Sequence, residues 1–199
     1  MPTSQPTPAA ASDLKAVLSH KDLDEPMKLY LLLMINTGMQ QADIANMVAG
    51  MYDATRGTLT RVRGKLAHTA NAPTITYQLW PETVLLLNKH MQAGAGPKQR
   101  LLLDPDNRPL VKPTRGGGRI DRVRSAWLAF TDQLGAAAPT FKLKQIRKTG
   151  ATLLSNQFNE IVANHYLGDA PSGILAKNYA PPAQARFDKA IAWLRKQVL

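Results

Sequence analysis

The sequence has no cysteine. That excludes disulfides, thiolate catalysis and cysteine-built zinc sites. Histidine is scarce too: His20, His68, His90 and His165 are scattered, and none forms an H-x-x-x-H pair. No metal site is expected from them. No apolar run approaches the roughly 18 residues that would read as a membrane span, so no membrane is expected to be crossed. Residues 1–12 contain no lysine or arginine and no apolar h-region, so no export signal is read. Aromatic residues make up only 6% and show no stacking motif, which weakens an RNA-binding reading. Acidic residues are also few, 14 Asp+Glu against 25 Lys+Arg, a net charge of +11. That excess suits a polyanion, nucleic acid first and an anionic membrane surface second. A merely soluble basic protein is the bland alternative.

What is present is ordinary for a globular chain. Its 199 residues, 44% of them hydrophobic, suffice for one good core or two small ones. Met1 to Ser12, rich in Pro, Ser, Thr and Ala, is expected to be a disordered leader. Asp13 is expected to cap a short helix carrying Leu14, Val17 and Leu18. Pro26 opens a second helix whose body, LYLLLMI, is apolar all round and should be the central buried one, ended by Gly38. Gln40 and Gln41 begin a short helix with Ile44, Ala45 and Met47 inward. GTLTRVR (57–63) and PTITYQL (73–79) read as an antiparallel hairpin, with Lys65 and His68 in its long tip. Pro81 starts a helix to about Gln92 with Val84, Leu85, Leu87 and Met91 apolar. Leu101 to Leu103 and Leu110-Val111 flank a turn at Asp104 to Asn107 and suggest a small hairpin.

Three further segments carry charge or punctuation. Lys112, Arg115, Arg119, Arg122 and Arg124 crowd one stretch with only Asp121 against them, around the glycines 116–118. Those glycines match no phosphate-binding fingerprint and are read as a flexible loop. The basic residues suit a nucleic-acid backbone, or else form the solvated face of a helix 120–134 whose other face holds Val123, Trp127 and Phe130. In FKLKQIRKTGATLL (141–154), Leu143, Ile146, Gly150, Leu153 and Leu154 form an apolar stripe. Lys144, Arg147 and Lys148 share one side of that helix, with Lys142 just before it. Cations in a first helical turn oppose the helix dipole, a local cost that a bound anion would offset. After Pro181 and Pro182, Phe187, Ala190, Ile191, Leu194 and Val198 mark a last helix over 183–198. It either packs on its own core or docks on a neighbour, another copy of itself or a different chain. The fold class expected is mainly α with a small antiparallel β-sheet.

Three blocks in order resemble the catalytic domain of tyrosine recombinases, the phage-type integrases. NTGMQQADIANM (36–47) resembles the family's T-G-L-R-x-x-E-L block. KQIRKTGATLL (144–154) resembles its H-x-L-R-H-T-x-A-T-x-L block. HYLGDAPSGILAKNYA (165–180) resembles its L-G-H-x-x-x-x-T-x-x-x-Y block. The resemblance covers about 23–199 and implies one catalytic-domain-like unit over 13–199 without the family's N-terminal DNA-clamping domain. It implies a cytoplasmic, DNA-associated protein of a bacterium or phage, with double-stranded DNA as partner and no cofactor. It makes Tyr179 the nucleophile that forms a 3′-phosphotyrosyl link, Arg147 a phosphate clamp, Lys65 the acid for the leaving 5′-oxygen and Lys144 a phosphate donor. Arg63 or His68 takes the place of Lys65 if the hairpin register differs.

The resemblance also marks departures. Gln40 stands where the family has an arginine, a donor without charge. Asp169 stands where it has histidine or tryptophan, and is expected to repel phosphate and pair with Arg147 or Lys144. Two functions follow: site-specific DNA recombination or integration by strand breakage and rejoining, or a catalytically inactive DNA-binding module derived from such an enzyme. Gln40 and Asp169 decide between them.

Overall fold

The computed structural model describes residues 7–63, 72–169 and 181–199. Helix α2 (Glu25–Thr37) is the hub. Leu29, Leu31, Leu32, Leu33 and Ile35 are all fully buried, as an all-round apolar helix requires. Asp24 caps it by accepting from the Met27 amide at 2.7 Å, and Gly38 ends it at φ 65°. Helices α4 (Pro81–His90), α5 (Arg122–Leu134), α6 (Leu143–Gln157) and α8 (Gln184–Val198) pack against it. Helices α1 (Ala11–Leu18), α3 (Gln41–Ala45) and α7 (Glu160–Leu167) complete the helical part. Strands β1 (Tyr52–Asp53), β2 (Thr58–Val62) and β3 (Thr74–Gln78) form an antiparallel sheet in that order, with Leu59 opposite Tyr77 and Arg61 opposite Ile75. Strands β4 (Val111–Pro113) and β5 (Arg119–Asp121) form a second antiparallel pair. The expected class, mainly helical with small antiparallel sheets, is the one observed.

Several local expectations are corrected. The end of the supposed leader is tied to α6: Ala9 is buried, the Thr149 hydroxyl donates to its carbonyl at 3.0 Å and the Gln145 amide to that of Thr7 at 2.6 Å. Asp13 lies within the first turn of α1, near its positive end, instead of capping it. The α4 stripe is rotated, with Leu86 and Leu87 buried and Leu85 exposed. Leu101, Leu102 and Leu110 are buried, so their segments are core filler, not a strand pair. The real hairpin is β4–β5, and glycines 116–118 form its turn, closed by Thr114 N–H to the Gly118 carbonyl at 2.9 Å with Gly117 at φ 78°. Residues 119–121 are accordingly strand, and α5 starts only at Arg122, capped by Asp121 accepting from the Arg124 amide at 3.0 Å.

The last helix spends its apolar face on its own chain. Phe187, Ala190, Ile191, Leu194 and Val198 are all buried, the Trp80 indole donates to the Ile191 carbonyl at 3.0 Å, and Arg195 pairs with Glu82. Of the two readings of this stripe, packing on its own core is the one observed. His165 on α7 stands edge-on to Phe187, centroids 4.7 Å apart, and burial holds its pKa below the ordinary 6.5. A buried base with a depressed pKa favours folding fully above its unfolded value, and that contribution is lost as pH falls through it. Stability should therefore drop between about pH 7 and about pH 5, and His165→Phe should flatten that drop. Denaturant unfolding at both pH values checks this; equal slopes in the two proteins would contradict it.

Candidate phosphate site and nucleic-acid interface

Helix α6 turns Leu143, Ile146, Gly150 and Leu154 into the core, and Arg147, beside Ile146, is carried in with them. Its guanidinium donates from Nη1 to the Gly38 carbonyl and from Nη2 to the Leu167 carbonyl, both at 2.8 Å. Gly38 caps α2 and Gly168 caps α7, each in the left-handed region at φ 65°. Arg147 thus sits between two helix C-termini, where partial negative charge favours a cation. Burial still pulls its pKa down to about 10, with Arg63 and Arg61 adding to the effect, so it remains charged at neutral pH. Two of its five N–H groups are committed to these carbonyls, which fix its orientation.

Asp169, just past α7, sits against this group. Its Oδ2 lies 3.6 Å from Arg147 Nη2, and its Oδ1 pairs with Arg63 Nη1. The expected pairing with Arg147 is present, Arg63 is the second partner, and Lys144 is not involved. Arg61 is a residue that sequence reasoning missed. It is 4% exposed, donates from Nη2 to the Thr37 carbonyl at 3.0 Å and lies 5.4 Å from the centroid of the Tyr77 ring. The inner face of β2 is Leu59 and Arg61. Strict alternation from Leu59 was the signal that could have found it.

Gln40 is exposed at the start of α3, where its N–H donates to Asp43 at 2.9 Å. It lines a cleft of about 300 Å³ together with Asp43, Arg61 and Arg63. It also lines a groove of about 520 Å³ with Arg119, Arg124, Trp127, Lys142 and Lys144. The second wall set contains no carboxylate among its lining residues. The fold thus brings Lys142 and Lys144 from the start of α6 to Arg124 of α5 and Arg119 of β5, although Arg119 is also paired with Asp121 at 3.2 Å. Lys112 and Arg115 are exposed on the β4–β5 hairpin, outside that lining, and Lys148 is half-buried. Arg122 is a correction. It pairs with the buried Asp104 at 2.7 Å and donates to the Pro109 carbonyl at 2.9 Å, so it ties α5 to the preceding loop instead of facing solvent. Tyr179, Lys65 and His68 lie outside the described residues.

Among the described residues no cluster of His, Asp or Glu could hold a metal ion. None of their helices is long and apolar enough to cross a membrane.

This arrangement is similar to solved integrases and recombinases. The integrase from mycobacterium phage Brujita is 16% identical, with a TM-score of 0.62 over 100% of this chain and 65% of that one. XerA recombinase is 16% identical, with a TM-score of 0.55 over 99% of this chain and 65% of that one. The fold is that of a tyrosine-recombinase catalytic domain. The Tn1549 transposon integrase, solved in complex with a circular intermediate DNA, is 13% identical, with a TM-score of 0.55 over 98% of this chain and 67% of its own. At such identities the likeness is one of fold. The chain spans about two thirds of the recombinase-fold chains it matches, 65% in the first two. No protein-family model matches the sequence, and no curated protein matches it.

Proposed function

We propose that residues 13–199 form a recombinase-like unit that binds duplex DNA through its backbone and breaks and rejoins one strand at Tyr179, in site-specific recombination or integration. The observation that carries this is Arg147: a charged, oriented guanidinium held at two helix C-termini, on the helix that also lines the carboxylate-free basic groove. A fork-shaped cation suits bidentate contact with a phosphate. In the proposed step the Tyr179 hydroxyl gives its proton to solvent, its oxygen forms a bond to phosphorus and the P–O5′ bond breaks. Lys65 gives its proton to the leaving 5′-oxygen. Arg147 and Lys144 stabilise the charge on the non-bridging oxygens, which is where most of the acceleration in such a reaction arises. A second strand's 5′-oxygen reverses the step, so the bond energy is conserved. Lys142, Arg119 and Arg124 line the duplex path, with Lys112 and Arg115 on the hairpin beside it. The Tn1549 neighbours were solved with DNA, which agrees with this partner.

A second reading, an inactive DNA-binding module, is favoured by two observations. Gln40 brings no charge to its position, and Asp169 engages Arg147 and Arg63. Both readings require backbone binding, which is tested by affinity against salt. Lys144→Ala and Arg124→Ala should each weaken duplex binding for all sequences alike and reduce the salt slope by about 0.9. Arg122→Ala should leave the slope unchanged and lower stability instead. A flat salt response of the wild-type protein would sink both readings.

A further inference from the structure

Gln40 leaves the phosphate site one cation short of what the recombinase resemblance implies, yet two other guanidiniums converge beside it. Arg63, just past β2, and Arg147 on α6 reach the same carboxylate, one to each oxygen of Asp169. Their elements are far apart in sequence, and the fold alone brings them together. The stem of Arg63 is fixed where the chain turns out of α7: a Cβ on Gly168 would sit 3.4 Å from the Arg63 Cβ. The Asp169 side chain is 37% exposed, against 19% for Arg63 and 9% for Arg147. The anion position is therefore on the solvent side, and the two cations lie behind it. A carboxylate presents two oxygens to paired donors much as a phosphodiester presents its two non-bridging oxygens. Arg63 also lines the cleft that Gln40 lines, with Asp43 and Arg61, so it brings charge to the cavity where Gln40 supplies none.

We propose that Arg63 is the second phosphate-binding arginine of this site, replacing the charge absent at Gln40, and that Asp169 occupies the phosphate position until DNA displaces it. This rests on the reading of the protein as a duplex-DNA binder. It differs from the sequence-based alternative that made Arg63 a substitute for Lys65. The role here is to hold the non-bridging oxygens together with Arg147, not to protonate a leaving group. The absence of an arginine at Gln40 then marks a relocation of the clamp from α3 to β2.

The test is fluorescence anisotropy over a sodium chloride series, on a duplex selected by the wild-type protein from a random pool. Asp169→Asn removes the competing charge while keeping the side chain's shape, and should tighten binding about fivefold at low salt. It should also steepen the salt slope, because one more phosphate is engaged. Adding Arg63→Gln to Asp169→Asn should cancel that gain and lower the slope by about 0.9. Adding Arg63→Lys instead should keep the slope, since a lysine retains the charge. Thermal unfolding of each variant shows that the fold is intact. If Arg63 only anchors Asp169, the double variant with Gln will bind with the affinity and slope of Asp169→Asn alone, and the proposal falls. If the wild-type protein selects no duplex with a salt-dependent affinity, the DNA-binding reading itself fails, and this inference goes with it.

Discussion

Gly150→Ala should destabilise the protein by about 2–4 kcal/mol, the sum of overpacking and a damaged buried hydrogen bond. A Cβ built at Gly150 overlaps the Tyr166 hydroxyl oxygen and lies 2.8 Å from its Cζ. Tyr166 cannot step aside. It is fully buried, and its hydroxyl donates towards the Ile35 carbonyl at 2.9 Å and the Met34 carbonyl at 3.2 Å. Its own carbonyl accepts from the Tyr77 hydroxyl at 2.9 Å, so α2, α7 and β3 would all have to shift. For a chain of this size such a loss lowers the melting temperature by roughly 5–15 °C. In Tyr166→Phe the nearest clashing atom is gone, so the double variant with Gly150→Ala should be less destabilised than the two single changes added together. Calorimetry on the four proteins checks this. Strict additivity, or a shift of Gly150→Ala under about 1 °C, would mean that the α6–α7 contact is looser than described.

Arg147→Ala should remove strand cleavage and also weaken the fold. On the chemical side, deleting one fixed donor to a developing oxyanion typically costs about 10²–10³ in rate, and Arg147 offers both a charge and a fork. On the structural side, the Gly38 and Leu167 carbonyls lose their partner where two helices end. Charge-assisted bonds of this kind are worth about 1.5–3 kcal/mol each. The recovered cost of burying the guanidinium offsets part of that, so a net loss of about 2–3 kcal/mol is expected. Arg147→Lys separates the two effects. A lysine keeps the charge but cannot bond both carbonyls in one plane, so duplex affinity should survive better than cleavage or stability. Equal stability of Arg147→Ala and wild type would show that the carbonyl bonds contribute nothing.

Much of this was legible in the chain because it follows from periodicity and end signals. The all-round apolar run in α2, the helix-ending glycine at 38 and the stripe from Phe187 to Val198 all did what their patterns require. The role of α8 was not legible. A covered apolar face and an unpartnered one read alike until its neighbours are placed. The β4–β5 hairpin was missed because short, mostly exposed strands carry almost no alternation, while the buried leucines at 101, 102 and 110 imitated strands. At the site, Arg147 on the edge of an apolar stripe was readable. Arg61 was passed over because a basic residue in a strand ordinarily signals the solvent face, although alternation from Leu59 turns it inward; the partner of Arg63 lies beyond α7, too far along the chain to be read. Arg122 failed in the opposite sense. Nothing in its neighbourhood foretold that Asp104 would be buried and waiting for it.

The central claim, that this site addresses Tyr179 to a DNA phosphate, is tested most directly by covalent capture. The protein is incubated with a pool of nicked duplexes, in which the released 5′ fragment diffuses away and religation fails. A denaturant-resistant protein–DNA adduct is then sought by gel shift and mass spectrometry, with Tyr179→Phe as the control. The account predicts an adduct that maps to Tyr179, disappears in Tyr179→Phe and is lost in Arg147→Ala. Salt-sensitive binding of the same duplexes with no adduct, in wild type and Tyr179→Phe alike, would contradict the strand-breaking claim and leave the DNA-binding module in its place.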